Sequence, residues 1–397
     1  MVSAFISPKE IISGEGSLAQ LGSIAQKHGA EHAVIFADPV LLKLGVIARA
    51  VEALESYNIR YTIFPHIQAE PGLQDGNRAI EAVRSSGADL VVGIGGGSCL
   101  DLAKAAAVLA ANVGFAGDYL NLSDTKKLES PGLPKILVPT TAGTGSEVTD
   151  IAVFSLQDTK DVISHPYLLA DTALIDSELT CTLPPKMTAA SGMDALTHAI
   201  EAYLSIQGDD LTDALALEAV RKIHGNIRTA VWQGGNKQAR REMALGSMMA
   251  GLSFFNAGVA GVHALAYPLG GLFKIPHGES NAVLLPYVME YIWPSSLKKM
   301  ARLAAELGIE RGNRSDRELA LLAVRELKSL VEDTGLPSSL SHYGINDGDI
   351  ERLAHNGMKQ TRLLSRSPKP FTIEAAAGIY RSALRGSLNM EKNRLGG

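Results

Sequence analysis

The sequence predicts an α/β protein with two domains. An N-terminal domain over residues 1–183 is built on a parallel sheet, and a C-terminal domain over residues 184–397 is all-helical. Up to about residue 180, short continuous apolar runs alternate with helical patterns, as in parallel sheets covered on both faces. After Leu183-Pro184-Pro185, alanine, leucine and methionine recur at helical spacing and strand-like runs nearly vanish.

Four strands are predicted in the N-terminal domain, each followed by a helix or a loop. The strands cover residues 33–37, 61–64, 90–94 and 135–139. The helices between them run up to residue 57, over 76–86 and over 100–111. Ligands of such sheets bind where the strands end, so the loops after these strands are the first place to look for a site.

Seven helices are predicted in the C-terminal domain. They cover residues 189–204, 211–227, 237–255, 262–273, 297–307, 316–334 and 372–384. The stretch 243–273 has no Asp, Glu, Lys or Arg and exceeds the roughly 20 residues that span a bilayer. Because it contains Asn256, His263, Pro268 and six glycines, we interpret it as buried helices around a site and expect no membrane association.

Composition excludes some classes of partner. The 37 basic and 42 acidic residues give a net charge of −5 without a basic stripe, which argues against nucleic-acid binding. Two cysteines, Cys99 and Cys181, cannot form a disulfide framework or a four-thiolate zinc site. Their scarcity fits a reducing compartment, and the N-terminal residues lack an export-signal pattern, so we expect a cytoplasmic protein.

A glycine-rich loop follows the third predicted strand. Gly95, Gly96, Gly97 and Ser98 precede a helix that carries Asp101 and Lys104. Glycines let backbone N–H groups approach a phosphate, and the helix start favours negative charge. The alternative is a tight strand-to-helix turn with no ligand.

An acidic residue, Asp38, ends the first predicted strand. Its carboxylate can accept hydrogen bonds from a ribose diol and repel a 2′-phosphate, which would favour NAD over NADP. The alternative is an N-cap of the helix that starts at Pro39.

A second loop rich in glycine and hydroxyl side chains follows the fourth strand, over residues 139–149. It offers many donors for phosphate or ribose oxygens, and the alternative is a solvated connection. Two such loops after successive strands strengthen the nucleotide interpretation.

A carboxylate and three imidazoles in the C-terminal domain are candidate metal ligands. Asp194 and His198 lie four residues apart on one helix face, and His263 and His277 follow later. Imidazole suits iron and zinc alike. His263 lies in the uncharged stretch, where a buried imidazole needs a partner. The alternative is an Asp/His pair that only decorates the surface or the core.

Four segments together resemble the iron-containing (group III) alcohol dehydrogenases, which have a dehydroquinate-synthase-like fold. The segments are GGGSCLDLAK at 95–104, PTTAGTGSEVT at 139–149, SGMDALTHAIEAY at 191–203 and GVHALAYPLGGLFKIPHGESNAVLLPYV at 261–288. The resemblance implies NAD and a divalent metal, iron being favoured and zinc possible, in a cleft between the two domains. It also implies a homodimer or larger homo-oligomer.

The resemblance assigns roles to individual residues. The implied metal ligands are Asp194, His198, His263 and His277. The implied cofactor-binding residues are Asp38, Gly95, Gly96, Gly97, Ser98, Asp101, Thr140, Thr141, Thr144, Ser146 and Lys160.

Tyr267 departs from the family pattern. Many members carry a second histidine four residues after the third ligand, where this chain has Tyr267. With an ordinary pKa near 10, tyrosine is a weaker base than histidine. Members that resemble hydroxyacid–oxoacid transhydrogenases also have Tyr-Pro there. We expect Tyr267 and His277 to be the catalytic residues, and the alternative for Tyr267 is a packing aromatic.

The predicted activity is metal-dependent hydride transfer between NAD(H) and a small primary alcohol or aldehyde. A first alternative is a 4-hydroxybutyrate dehydrogenase or transhydrogenase, with Arg362 and Arg366 as candidate carboxylate anchors; the alternative for these two arginines is that they are surface charges. A second is a lyase of the dehydroquinate synthase type, although a ligand set of Asp194 with three histidines fits that type less well. A third is a filament-forming structural protein, against which the intact ligand and glycine motifs count.

Overall fold

The computed structural model describes residues 4–121, 123, 125–156 and 160–392 of the chain. These residues form two compact units. One runs from Ile6 to Thr182, and the other starts at Leu183 and also includes residues 4 and 5. The predicted boundary, between residues 183 and 184, lies one residue from this division.

Eight strands are described in the first unit. They are β1 (Glu10–Ser13), β2 (His32–Ala37), β3 (Arg60–Phe64), β4 (Leu90–Gly95), β5 (Lys135–Pro139), β6 (Ile151–Ser155), β7 (Lys160–Ser164) and β8 (Thr172–Ile175). Six of them form a parallel sheet in the order β1-β8-β5-β4-β2-β3, and β6 pairs antiparallel with β7.

Helices cover both faces of the parallel sheet. They are α1 (Leu21–Lys27), α2 (Pro39–Lys43), α3 (Val46–Glu55), α4 (Leu73–Ser86) and α5 (Gly97–Leu109). Side chains alternate along each strand: Ile35 and Val92 pack with α1 and α3, whereas Phe36 and Val91 pack with α4 and α5. Burial on both faces is why these strands are continuous apolar runs in the sequence.

The register of the sheet brings the predicted nucleotide loops to one edge. β4 lies between β2 and β5, with Ala37 opposite Ile94 and Gly95 opposite Pro139. Asp38 and the two glycine-rich loops therefore start side by side, at the carboxyl ends of three neighbouring strands.

The described part of the second unit is helical. Its helices are α6 (Pro185–Leu204), α7 (Asp210–Trp232), α8 (Lys237–Ala257), α9 (Gly261–Phe273), α10 (His277–Ile292), α11 (Leu297–Glu306), α12 (Asp316–Asp333), α13 (Ile350–Met358), α14 (Thr361–Leu364), α15 (Ile373–Arg385) and α16 (Asn389–Lys392). α6, α7 and α8 pack on one another, and α10 contacts α6, α9, α12 and α15.

Within the described residues, no single helix is long and apolar enough to cross a membrane. α8 and α9 meet that requirement only as a pair, and the pair is bent by 103° at its junction.

The predicted fold class is confirmed. All four predicted strands and all seven predicted C-terminal helices are present, with ends that differ by a few residues. The prediction missed the strands β1 and β6–β8 and the helix α1 and, in the helical unit, α10, α13, α14 and α16. α10 contains Pro286, a residue that ordinarily interrupts a helix.

Candidate active site

The four candidate metal ligands converge in the helical unit. Asp194 and His198 lie on α6, His263 lies on α9, and His277 is the first residue of α10. One ligand atom from each lies within 4.8 Å of those of the others. The first three side chains are buried, and that of His277 is one-third exposed.

The carboxylate of Asp194 faces the imidazoles. Its Oδ1 lies 3.9 Å from His263 Nε2 and 3.6 Å from His277 Nε2. Burial raises the pKa of Asp194, but the three imidazoles and a hydrogen bond from Asn281 outweigh it, so this pKa lies below its usual value. The side chain is therefore ionised and can only accept hydrogen bonds.

Glu201 orients His263. Its Oε2 lies 2.6 Å from His263 Nδ1, and its Oε1 accepts from Val262 N at 2.6 Å. Because a carboxylate only accepts hydrogen bonds, Nδ1 carries a proton, and Nε2 is the ring nitrogen that faces Asp194. A carboxylate behind a histidine is a frequent device for orienting metal ligands.

Sequence reasoning missed Glu201 and Asn281. Glu201 follows Asp194 by seven residues and His198 by three, so it lies on the same face of α6. Asn281 follows His277 by four residues on α10, and its amide reaches the cluster. Helical spacing from the predicted ligands was the available signal for Glu201, whereas the helix that carries Asn281 was not predicted.

The glycines at the start of α5 let the two predicted nucleotide loops meet. Gly96 caps the helix and Gly97 is its first residue. A Cβ on Gly96 would lie 3.5 Å from Thr141 Cγ2, and one on Gly97 would lie 2.8 Å from Thr144 Cγ2. The first contact is ordinary and the second too close, so Gly97 is required by the packing of the loops themselves.

Glu70, which sequence reasoning also missed, links two of the predicted cofactor residues. Its backbone N–H donates to Ser98 Oγ at 3.3 Å, and its carboxylate accepts from Lys160 Nζ at 2.7 Å.

Asp38 caps α2, accepting a hydrogen bond from Val40 N at 2.7 Å. Asp38 therefore makes the N-cap contact that was the alternative to ribose binding. Ribose binding through the second oxygen of its carboxylate stays a prediction.

Asp101 and Ser146 hold the two loops together. Ser146 Oγ donates to Asp101 Oδ1 at 2.6 Å, and Asp101 Oδ2 accepts from Val153 N at 3.0 Å. The buried ammonium of Lys104 donates to Ser146 O at 2.9 Å. Thr140 N in turn donates to Gly95 O at 3.0 Å. Cofactor contact by these residues stays a prediction, and their contacts in this structure hold the loops in place.

Comparisons with known proteins agree with this arrangement. Residues 8–177 match the family model for iron-containing alcohol dehydrogenases, and residues 188–384 match the C-terminal model of the same family. The chain belongs to the iron-containing alcohol dehydrogenase family.

Individual relatives extend over nearly the whole chain. A long-chain-alcohol dehydrogenase of Geobacillus thermodenitrificans is 49% identical, over 94% of this chain and 95% of its own. An NAD-dependent methanol dehydrogenase of Bacillus methanolicus is 33% identical, over 97% of this chain and 100% of its own. The solved structure of a 1,3-propanediol oxidoreductase has a TM-score of 0.93 and 33% identity, with 96% of this chain and 100% of that chain covered.

The predicted enzyme class and cofactors are confirmed: this iron-containing alcohol dehydrogenase is an NAD-dependent, metal-dependent oxidoreductase. The donor set fits the metal, because one ionised carboxylate and three imidazoles gathered in a buried cluster are ligands that iron and zinc both accept. The glycine-bounded start of α5 fits a pyrophosphate.

A cluster of apolar side chains lies next to the four candidate metal ligands. Phe254 stacks on His198, with ring centroids 4.3 Å apart, and Tyr267 lies 6.1 Å from the ring of His277. Both aromatic side chains pack against the buried residues Val259 and Leu363. Burial raises the pKa of Tyr267 above its usual value, so its phenol stays protonated at neutral pH.

Proposed function

We propose that Asp194, His198, His263 and His277 bind one divalent cation, iron or zinc, and that the enzyme interconverts a primary alcohol and its aldehyde with NAD. The observation that carries the proposal is the convergence of these four donors in a buried cluster. When bound, the cation lowers the pKa of the substrate hydroxyl, and the nicotinamide ring accepts the hydride.

The protein's own residues orient the reactants. Glu201 holds His263 in the tautomer that presents Nε2 to the cluster. His277 is the most exposed of the four ligand residues, which supports approach of the substrate from its side. Tyr267 is close to it and, as a neutral phenol, can donate a hydrogen bond to the substrate oxygen. Gly96, Gly97 and Ser98 hold the pyrophosphate at the start of α5.

The apolar cluster supports an alcohol with an apolar chain. Phe254, Val259 and Leu363 present no charge beside the ligands. The relative from Geobacillus thermodenitrificans, which is named for long-chain alcohols, agrees with such a substrate. We therefore propose an uncharged primary alcohol or aldehyde.

A hydroxyacid is the second candidate, because two cations lie near Tyr267. The guanidinium groups of Arg362 and Arg366 both lower the pKa of Tyr267, against the larger effect of burial. Arg366 Nε donates to the neutral Gln207 Oε1 at 3.1 Å. Burial, followed by the charge of Arg362, lowers the pKa of Arg366. A substrate carboxylate, as in 4-hydroxybutyrate, would be attracted to this pair.

Metal-stripped protein distinguishes the two candidates. NADH formation is measured before and after Fe²⁺ or Zn²⁺ is returned, with 1-butanol, longer 1-alkanols, 1,2-propanediol and 4-hydroxybutyrate offered in parallel. We expect metal-restored turnover on the uncharged alcohols. A clear preference for 4-hydroxybutyrate would select the hydroxyacid candidate, and no turnover on any substrate with metal bound would refute both.

Replacing Tyr267 with phenylalanine is expected to lower kcat about fivefold, since a neutral hydrogen bond contributes about 1 kcal/mol. Because burial raises the pKa of this phenol, the shape of the pH–rate profile between about pH 6 and 9 should not change. Initial rates across that range check the prediction. An unchanged kcat would reduce Tyr267 to a packing role, and a shifted profile would make it a proton acceptor.

We further propose that the enzyme is cytoplasmic and forms a homodimer or a larger homo-oligomer. Cys99 is buried and unpaired, in keeping with a reducing compartment. Size-exclusion chromatography with light scattering measures the oligomeric state, and a monomer at micromolar concentration would contradict the second part.

A further inference from the structure

Asn281 contacts three of the four metal-ligand residues. Its side chain is fully buried on α10, and its Nδ2 lies 2.7 Å from Asp194 Oδ1. The same atom lies 3.1 Å from His263 Nε2 and 3.2 Å from His277 Nε2.

The chemistry of the neighbours sets the orientation of this amide. Its Nδ2 donates to Asp194 Oδ1 at 2.7 Å, so the NH₂ end of the amide faces the carboxylate, which accepts the hydrogen bond. The same end of the amide lies against the Nε2 atoms of His263 and His277.

The other end of the amide shows that this orientation has a cost. Asn281 Oδ1 is buried and finds no hydrogen-bond partner among the described residues. A buried polar atom without a partner typically costs about 1–3 kcal/mol, and such atoms are rare in folded proteins. A leucine would fill similar space without that cost, so stability alone does not account for the amide.

We propose that Asn281 is a positioning residue of the metal centre. Its NH₂ group donates to Asp194 and holds the carboxylate towards His263 and His277, so that the donors are arranged before the cation arrives. The affinity of the cation then depends on the amide. The inference rests on the proposed function, since it takes Asp194, His263 and His277 as ligands.

The test compares metal binding of full-length variants. Metal-stripped wild type, Asn281→Leu and Asn281→Ala are titrated with Co²⁺ in competition with a chelator, and the visible spectrum of bound Co²⁺ is recorded. Loss of a residue that orients metal ligands typically lowers affinity 10- to 100-fold, and we expect a change in that range for both variants. We also expect an altered Co²⁺ spectrum, which a general loss of stability would not produce.

Asn226→Leu is the matched control. Asn226 lies in the same helical unit, and its Nδ2 donates to the backbone oxygen of Lys222 on its own helix. Its Co²⁺ affinity and spectrum should equal those of wild type. If Asn281→Leu does not fold, Asn281→Ala, which adds no bulk, decides the question.

Two results would overturn the inference in distinguishable ways. If wild type binds Co²⁺ and the Asn281 variants bind it within twofold, with the same spectrum, the positioning role is wrong and the proposed metal centre stands. If wild type does not bind Co²⁺, the proposed metal centre fails and this inference fails with it.

Discussion

Replacing Asp194 with asparagine is expected to remove the bound metal and to lower kcat/KM for the alcohol about a thousandfold. The change keeps the shape of the side chain and removes its charge, in a cluster where Asp194 is the one carboxylate among the four grouped donors. A metal ion that polarises the substrate contributes several kcal/mol, and each 1.4 kcal/mol is a factor of ten in rate. Metal content by mass spectrometry and steady-state kinetics measure the two effects.

Asp213→Asn is the control for Asp194→Asn. Asp213 is also partly buried in the helical unit, where its carboxylate pairs with Lys299 Nζ at 2.9 Å. That variant should keep wild-type metal content and turnover. If Asp194→Asn kept both as well, Asp194 would not be a ligand. The NADH affinity of Asp194→Asn should match that of wild type, because the predicted cofactor residues lie in the other unit.

The α/β unit was predictable where burial controls the sequence pattern. β2, β4 and β5 are buried along their whole length and, apart from His32 and Lys135 at the starts of β2 and β5, form nearly continuous apolar runs. β6 alternates between buried and half-buried residues, and β8 has only four residues, so neither produces a distinct run. Short strands depend on their partners more than on their own composition.

The ligand residues of the candidate metal site were predictable from the sequence, but the hydrogen bonds that connect them to other residues were not. The Asp194 and His198 pair is local, because both residues lie on one helix face. The contact of Glu201 with His263 joins residues 62 positions apart, which no local pattern reports. Asn281 was hidden for another reason: α10 was not predicted, so its helical spacing from His277 could not be used.

Replacing Gly96 with alanine is expected to raise the KM for NAD 10- to 100-fold while the protein folds normally. The reason is that a pyrophosphate at the start of α5 would meet the added methyl group. Each 1.4 kcal/mol of lost binding free energy is a factor of ten in affinity. The protein itself tolerates the methyl group. Gly96 has φ −76° and ψ 179°, which alanine adopts without strain, and the nearest atom to the added Cβ is Thr141 Cγ2 at 3.5 Å. NADH titration by fluorescence and NAD kinetics measure the effect.

Two comparisons make the Gly96→Ala result specific to the cofactor. Gly14→Ala adds the same methyl group in the same unit, where nothing lies within 4 Å of it, and should bind NADH as wild type does. Gly97→Ala would not serve, because its Cβ would lie 2.8 Å from Thr144 and disturb the loop without any ligand. Metal affinity should be unchanged in Gly96→Ala, the converse of the result expected for Asp194→Asn. Wild-type NADH affinity in Gly96→Ala would mean that the pyrophosphate does not lie against the first turn of α5, and the glycines would then serve only the packing of the two loops.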